Sequence, residues 1–435
     1  MKKVLIISPH FAPTNAPDMQ RARLAIPYLR AHGWEPVVLA IAPEYIEGGV
    51  LDPLLEATYP ADTRIVRVRG IPPRLTRWLG IGSLWLRCGR AFRAAGEKLL
   101  REEKFDLVFF TTTQFDAFTL GPLWKRQFGL PYVLDYQDPW VNDYYGRTRT
   151  KPPGGMLKFA CAQWRARRQE PGTLREASGV IAVSDAYSRT LAGRYPWFPA
   201  NRVLLLPFGA AAADIATARG HTPARPLVDF NDGCFHHIYA GRCGPDMSIS
   251  LTAIFRAFKR FRERQPEKAS RIRFHFIGTD YAPPPLGREW AMPIARGEGV
   301  GEYVTEHCYR VPYFDALHYL VKADALLAVG SNDPTYSASK IFPYILAERP
   351  MLVVFNRHSP VLAFAKQADC GERFSFDSAD EIDDIAEQIA RVWFEGGRMR
   401  EVHATNAAAF LPFTAESMTA RLVDCFNAAL HVPPQ

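Results

Sequence analysis

No C-x-x-C pair occurs in the 435 residues: the seven cysteines, at 88, 161, 234, 243, 308, 370 and 425, are scattered and odd in number. That spacing excludes a zinc ribbon and a disulfide framework and predicts free thiols in a reducing compartment. No window approaches the roughly 20 apolar residues that a bilayer-spanning helix requires. The opening MKKVLIIS starts like an export segment, but its apolar run ends at Ile7, before Ser8, Pro9 and His10, and is too short for one. A cytoplasmic protein is expected, with contact at the inner face of a membrane left open. Repeats and nucleic-acid-binding signatures are also missing, so no nucleic-acid partner is expected. No G-x-G-x-x-G follows the first apolar run, which disfavours a dinucleotide-dependent dehydrogenase.

What is present is ordinary for a globular protein: 48% hydrophobic and 23% charged residues, with 53 basic and 45 acidic side chains giving a formal charge of +8. The length predicts two domains. The modest positive balance favours an anionic partner without requiring nucleic acid.

Strand-like and helix-like stretches alternate from the N-terminus. Strands are expected at Val4–Ser8, Pro36–Ile41, Arg64–Arg69, Asp106–Thr111, Tyr132–Tyr136, Gly179–Ser184 and Val203–Leu206, and a helix at Arg23–Ala31. After Pro207-Phe208-Gly209 the pattern lapses and then resumes with strands at His236–Ala240, Arg271–Ile277, Ala325–Val329 and Met351–Phe355. Helices are expected there at Ser248–Arg262, Phe314–Lys322, up to Ala365, Glu381–Glu395, Met399–Ala408 and Phe413–Leu430. This alternation predicts two Rossmann-like α/β domains facing a central cleft, with ligand at the carboxyl ends of the strands. The expected divisions are 1–210, a linker at 211–233, 234–410, and a final helix and tail at 411–435 that crosses back to the first domain.

Two stretches carry chemistry beyond the fold. Ser331–Pro350, SNDPTYSASKIFPYILAERP, lies between two apolar runs, and its hydroxyls, backbone N–H groups and Lys340 converge at the start of a helix. Such a spot suits phosphate, although a capped surface helix has the same pattern. In the second stretch, residues 71–100, Trp78, Leu79, Leu84, Trp85 and Leu86 interleave with Arg74, Arg77, Arg87, Arg90 and Arg93. A basic run at Trp164–Arg168 follows later. These are compatible either with anionic lipid or with tryptophans packed into a core.

Segments in both halves resemble the GT-B glycosyltransferases, and within them the retaining family 4 group that uses nucleotide-sugar donors. In the first half these are VLIISPHFAPTNAP, RAHGWEPVVLA, LPYVLDYQDPW, ASGVIAVSDAYSRTL and LLLPFGA. In the second they are IYAGRCGPDM, FHFIGTD, VKADALLAVGSN and SASKIFPYILAERPMLVV. The resemblance implies a metal-independent hexosyltransferase with no cofactor beyond its nucleotide-diphosphate-sugar co-substrate. The acceptor it implies is a saccharide or a lipid-linked sugar, in polysaccharide or glycolipid synthesis. Asp280 and Asp324 stand alone, consistent with that expectation of no metal.

Carried onto this chain, the resemblance makes Arg242 and Lys340 the cations for the departing diphosphate. Gly241, Gly278, Thr279, Thr335, Ser337 and Ser339 become donor-binding candidates. Asp138, after the strand Tyr132–Tyr136, is the candidate general base, with an Asx-turn before Pro139 as its other reading. His10, Asn15, Arg21, Gln137 and Trp140 are candidates on the acceptor side, and Tyr144 and Tyr145 could join Trp140 in stacking on a sugar. The chain departs from the family where two glutamates are usual, since Thr335 and Pro343 stand there. Met247 replaces the usual second cation, and Asn15-Ala16 the usual glycine pair. A catalytically silent nucleotide- or partner-binding protein is therefore the alternative.

Overall fold

The computed structural model describes residues 1–431 apart from 77, 79–81, 143–154, 283, 335, 337 and 338. The chain divides into two compact units, Met1–Gly209 with Ala415–Gln435, and Ala210–Thr414.

The first unit is built on seven parallel strands: β1 (Lys2–Ile7), β2 (Trp34–Ile41), β3 (Arg64–Val68), β4 (Leu107–Thr111), β5 (Tyr132–Tyr136), β6 (Gly179–Ala182) and β7 (Val203–Leu205). Their order is β3-β2-β1-β4-β5-β6-β7. The central strands are continuous apolar runs because both sheet faces are covered. On one face lie α2 (Leu84–Glu102), α3 (Leu120–Phe128) and α4 (Met156–Glu176), which share a core with Leu5, Leu39, Phe110 and Leu134. The other face takes α1 (Gln20–Leu29) and the terminal helix Ala415–Ala429, whose Phe426 meets Trp34 and Phe109 edge-on at 5.3 and 5.0 Å. A fifth helix, α5 (Asp185–Arg194), starts at Ser184, whose hydroxyl accepts from the Ala186 N–H.

The second unit has six parallel strands: β8 (Phe235–Ala240), β9 (Ile272–Ile277), β10 (Val304–His307), β11 (Ala325–Val329), β12 (Met351–Asn356) and β13 (Glu372–Phe376). The helix α7 (Ser248–Arg264) shares its core, and the order β10-β9-β8-β11-β12-β13 reverses direction between β8 and β11, as the first sheet does between β1 and β4. Open sheets bind ligands beyond the carboxyl ends of the strands at such reversals.

Several expectations change. Residues 211–233, expected as a linker, contain α6 (Ala212–Gly220), and this stretch packs on α8 (Tyr313–Lys322) within the second unit. Tyr313 donates to Asp214 at 2.9 Å, and His221 contacts Asp315 at 2.6 Å. The strands β10 and β13 were not anticipated: both lie at sheet edges, where one side is uncovered and polar residues interrupt the apolar run. The helix expected at Met399–Ala408 is instead a 3₁₀ turn at Arg398–Arg400 and a short helix at Ala407–Phe410. Asn406 imposes the break by accepting the N–H groups of Ala408 and Ala409, which starts a new helix there. Among the described residues no helix is long and apolar enough to cross a membrane.

Candidate functional site

Beyond β1 in the first unit, the chain turns through Ser8 and His10 into a loop that delivers Asp18 to the ends of β1 and β4. His10 Nδ1 lies 3.0 Å from Asp18, and Asp18 also accepts from the Thr112 and Thr113 hydroxyls and the Thr113 N–H at 2.9–3.1 Å. Burial alone would lower the His10 pKa, but the charge and hydrogen bond of Asp18 outweigh it and hold His10 above its ordinary value. Burial likewise opposes ionisation of Asp18, and His10 with the threonine donors overcomes it, so Asp18 is held low. The pair is an imidazolium and a carboxylate over a wider pH range than either group alone.

Asp138 follows β5 and shares this neighbourhood. Its residue surface is exposed, yet protein crowds the carboxyl and Asp18 repels its charge; the hydrogen bond from Tyr187 only partly compensates. Its pKa is raised to about 6. A carboxylate tuned to that range is ionised at neutral pH and basic enough to take a proton.

The other acceptor-side candidates are reassigned. Arg21 and Asp135 have no exposed side-chain surface and form an ion pair at 3.1 Å, which leaves neither able to touch a ligand. Arg21 also donates to the carbonyls of Pro207 at 2.9 Å and Leu206 at 2.5 Å, and Thr111 donates to Asp135 at 2.9 Å. Gln137 is buried and spends its amide on Asp18 O, Thr111 and Asp135. Trp140 is buried against Phe115, stacked at 6.0 Å, and Phe118, so it belongs to the core and offers no open ring face. Asn15 is buried in a short antiparallel bridge with Val50. His10 and Asp138 remain as groups that a substrate could reach. Tyr144 and Tyr145 lie outside the described residues.

In the second unit, β8 ends at Ala240, and Gly241 follows at φ 139°, a conformation open to glycine. A Cβ there would also stand 3.3 Å from Lys340 Nζ. Arg242 comes next and pairs with Asp246 through both terminal nitrogens, at 3.0 and 2.7 Å. Burial works against both charges, but the pairing raises the arginine pKa and lowers that of Asp246. Three of the five guanidinium N–H groups remain beyond this fork.

Lys340 is half-buried and donates to the Tyr239 hydroxyl and, at 3.4 Å, to the Arg242 carbonyl, with its ammonium 4.4 Å from the Tyr239 ring. Among the described residues no carboxylate lies within ion-pair distance of it. Burial, helped by the Arg242 charge and opposed by Cys243 and Asp246, lowers its pKa to about 8. The structure thus brings Arg242, Lys340 and Gly241 together at the β8 end of the topological reversal.

The helix α9 (Ile341–Leu346) has only six residues, and Lys340 sits at its N-cap, before the first turn expected to hold it. So short a helix contributes little dipole, and the positive charge at this point comes from the lysine itself. Tyr344 on α9 exchanges hydrogen bonds with the Ala240 N–H and carbonyl at 2.8 and 3.0 Å, fixing the helix to the end of β8. Gly278 ends β9 at φ 71°. Thr279 is fully buried; its hydroxyl donates to Glu306 at 2.6 Å and its carbonyl accepts from the Cys243 N–H at 2.9 Å, so it shapes the loop. Ser339 is half-buried beside Lys340; Thr335 and Ser337 lie outside the described residues.

Asp18, Tyr239 and Asp246 were missed in the sequence. Asp246 stands four residues after Arg242, a spacing that could have revealed the pair; Tyr239 reads only as another strand residue.

Residues 20–209 match the model of the glycosyl transferase 4-like domain. Searches of solved structures find Anabaena HepE, in complex with UDP and glucose, at TM-score 0.60 and 15% identity, covering 98% of this chain and 100% of that one. Sucrose-phosphate synthase from Thermosynechococcus elongatus matches at TM-score 0.60 and 14% identity over 98% of each chain. A UDP-forming α,α-trehalose-phosphate synthase from Burkholderia vietnamiensis matches at 0.58 and 13% over 99% of each. At identities this low the matches show the fold alone, and that fold is GT-B. Among curated protein sequences there is no match.

Proposed function

We propose, for a chain with the GT-B fold and a glycosyl transferase 4-like domain at residues 20–209, that it transfers a sugar from a nucleoside-diphosphate sugar to an acceptor hydroxyl. The first unit serves the acceptor and the second the donor. The observation that carries this reading is Lys340, an ammonium with neutral oxygen partners, held beside Arg242 and Gly241 at the end of β8.

The bond from the anomeric carbon to the diphosphate breaks, and the leaving group takes the electron pair. Its growing negative charge is met by Lys340 and by the N–H groups of Arg242 not engaged with Asp246. The acceptor oxygen forms the new glycosidic bond, and its proton passes to Asp138. HepE has been solved with UDP-glucose, which makes that compound the first donor to assay. The acceptor is a saccharide or lipid-linked sugar, and the hexosyl type, metal independence and a role in polysaccharide or glycolipid synthesis at the inner membrane face complete the reading.

The test is nucleotide release from a panel of nucleotide sugars, with and without saccharide acceptors. Lys340→Ala is expected to lower kcat about 100-fold. Because the Lys340 pKa is depressed, nucleotide affinity of the wild type should fall as pH rises past about 8. The same depression means that the folded protein resists charging Lys340 at neutral pH. Lys340→Met should therefore raise Tm by about 2–4 °C while activity is lost, which a thermal melt checks.

A silent nucleotide-binding protein is the second reading, favoured by Thr335 and Pro343 at the positions where the family carries glutamate. Tight nucleotide binding with no turnover of any donor would establish it.

A further inference from the structure

Nine cations fall in two segments that contain no acidic residue. Residues 70–96 hold five arginines, and residues 155–169 hold Lys158, Arg165, Arg167 and Arg168. Setting these nine aside leaves 44 basic against 45 acidic residues, and of the nine Arg93 and Arg165 are paired, with Glu97 and Asp116.

Seven of the nine lie on α2 and α4, which cover one face of the sheet of the first unit. Both α2 and α4 contribute to the core on the same side of the sheet. Each starts at the carboxyl edge of the strands, α2 after β3 and α4 after β5. Arg165 fixes α4 to the turn following β4 through Asp116 at 2.6 Å, and buried Arg87 ties residue 71 to the start of α2 by donating to the Ile71 carbonyl at 3.2 Å. The two segments also hold large apolar side chains in water: Trp78 is 79% exposed, Leu86 59%, Leu157 85% and Trp164 56%. Arg74, Arg90, Lys158, Arg167 and Arg168 are exposed beside them, Arg168 lying 4.1 Å over the Trp164 ring.

We propose that this surface, the starts of α2 and α4 with Trp78, docks the first unit on an anionic lipid bilayer. The exposed apolar residues, Ile71, Leu75, Met156 and Leu157 among them, are set among cations, and neither segment supplies an acid to pair with a protein partner's cations. The complementary surface is therefore a dense array of negative charge with an apolar layer beneath, where tryptophan and leucine enter among headgroups and arginine stays with phosphate. The docking stands on this surface alone. Its consequence, that the acceptor is presented at the membrane, rests on the transferase reading.

Flotation of the full chain with phosphatidylcholine vesicles, with and without phosphatidylglycerol, tests it. The protein should float with the anionic vesicles only and be released by salt. Arg90→Gln with Arg168→Gln should lower the partition by about 25-fold, at about five-fold per cation lost. Trp78→Ser, Leu157→Ser and Trp164→Ser together should abolish it; these sites are exposed, and circular dichroism checks that the fold is kept. Four results would overturn the proposal: no flotation with either vesicle, flotation unchanged in both variants, equal retention on duplex DNA at the same salt, or self-association that the tryptophan variant abolishes without vesicle binding. Flotation uses neither donor nor acceptor, so its failure leaves the transferase reading standing, and loss of nucleotide release leaves the docking standing.

Discussion

Asp138→Asn lowers the transfer rate by about 10²–10⁴-fold and leaves nucleotide affinity unchanged. The range is that of removing a positioned general base, and the separation arises because Asp138 serves the acceptor and the donor is held by other groups. The wild-type pH profile carries the sharper signature. Burial and the nearby Asp18 charge raise the Asp138 pKa to about 6, so the basic form is lost as pH falls through 6 rather than near 4. kcat/KM should therefore rise with pH through an acid limb near 6, and Asp138→Asn should lose that limb with the activity. His10 is also held above its ordinary value, so His10→Gln separates the two: the limb survives this change if it belongs to Asp138. A wild-type rate flat from pH 5 to 7 would remove Asp138 from the chemistry.

Asp135→Ala destabilises the first unit by about 3–5 kcal/mol, the cost of leaving a buried charge without its partner. Arg21 has no exposed side-chain surface, and beyond Asp135 its partners are the carbonyls of Pro207 and Leu206 and the Phe208 ring, 4.9 Å away. Thr111 and Gln137 would lose their acceptor at the same time. The pair also joins α1 to the end of β5 and to the chain leaving β7, so its loss loosens the frame from which His10 and Asp138 project. Replacing both partners, Arg21→Met with Asp135→Leu, should recover much of the loss, because no buried charge is then stranded. Denaturant unfolding of the full chain, followed through the transition of the first unit, measures both. A loss below about 1 kcal/mol for Asp135→Ala would mean that water reaches the pair.

The alternation of apolar runs was legible because parallel strands covered on both faces leave continuous Val, Ile, Leu and Phe stretches, as in β1, β2 and β12. The edge strands β10 and β13 were not, since half-exposed positions admit Glu306, Arg373 and Ser375. At the site, the family resemblance marked Arg242, after a strand and a glycine, and the polar loop before α9 marked Lys340. Arg21 and Asp135 are 114 residues apart, and only the folded sheet shows that they neutralise each other; from sequence Arg21 looks like a solvent-facing functional residue. Trp140 misled for a similar reason: an aromatic after a strand end packs a core or stacks on a sugar with the same letters around it. The basic-aromatic stretch divided between both readings, with Leu84 and Phe92 buried and Trp78 and Leu86 in water.

Calorimetric titration of a nucleoside diphosphate into the full chain tests the central claim most directly, because it needs neither the right sugar nor the right acceptor. The wild type should bind UDP or another nucleoside diphosphate, Lys340→Ala should bind about 10–100-fold more weakly, and Lys340→Arg should restore part of the difference. Equal affinity in wild type and Lys340→Ala, or no binding of any nucleoside diphosphate to the wild type, would contradict it.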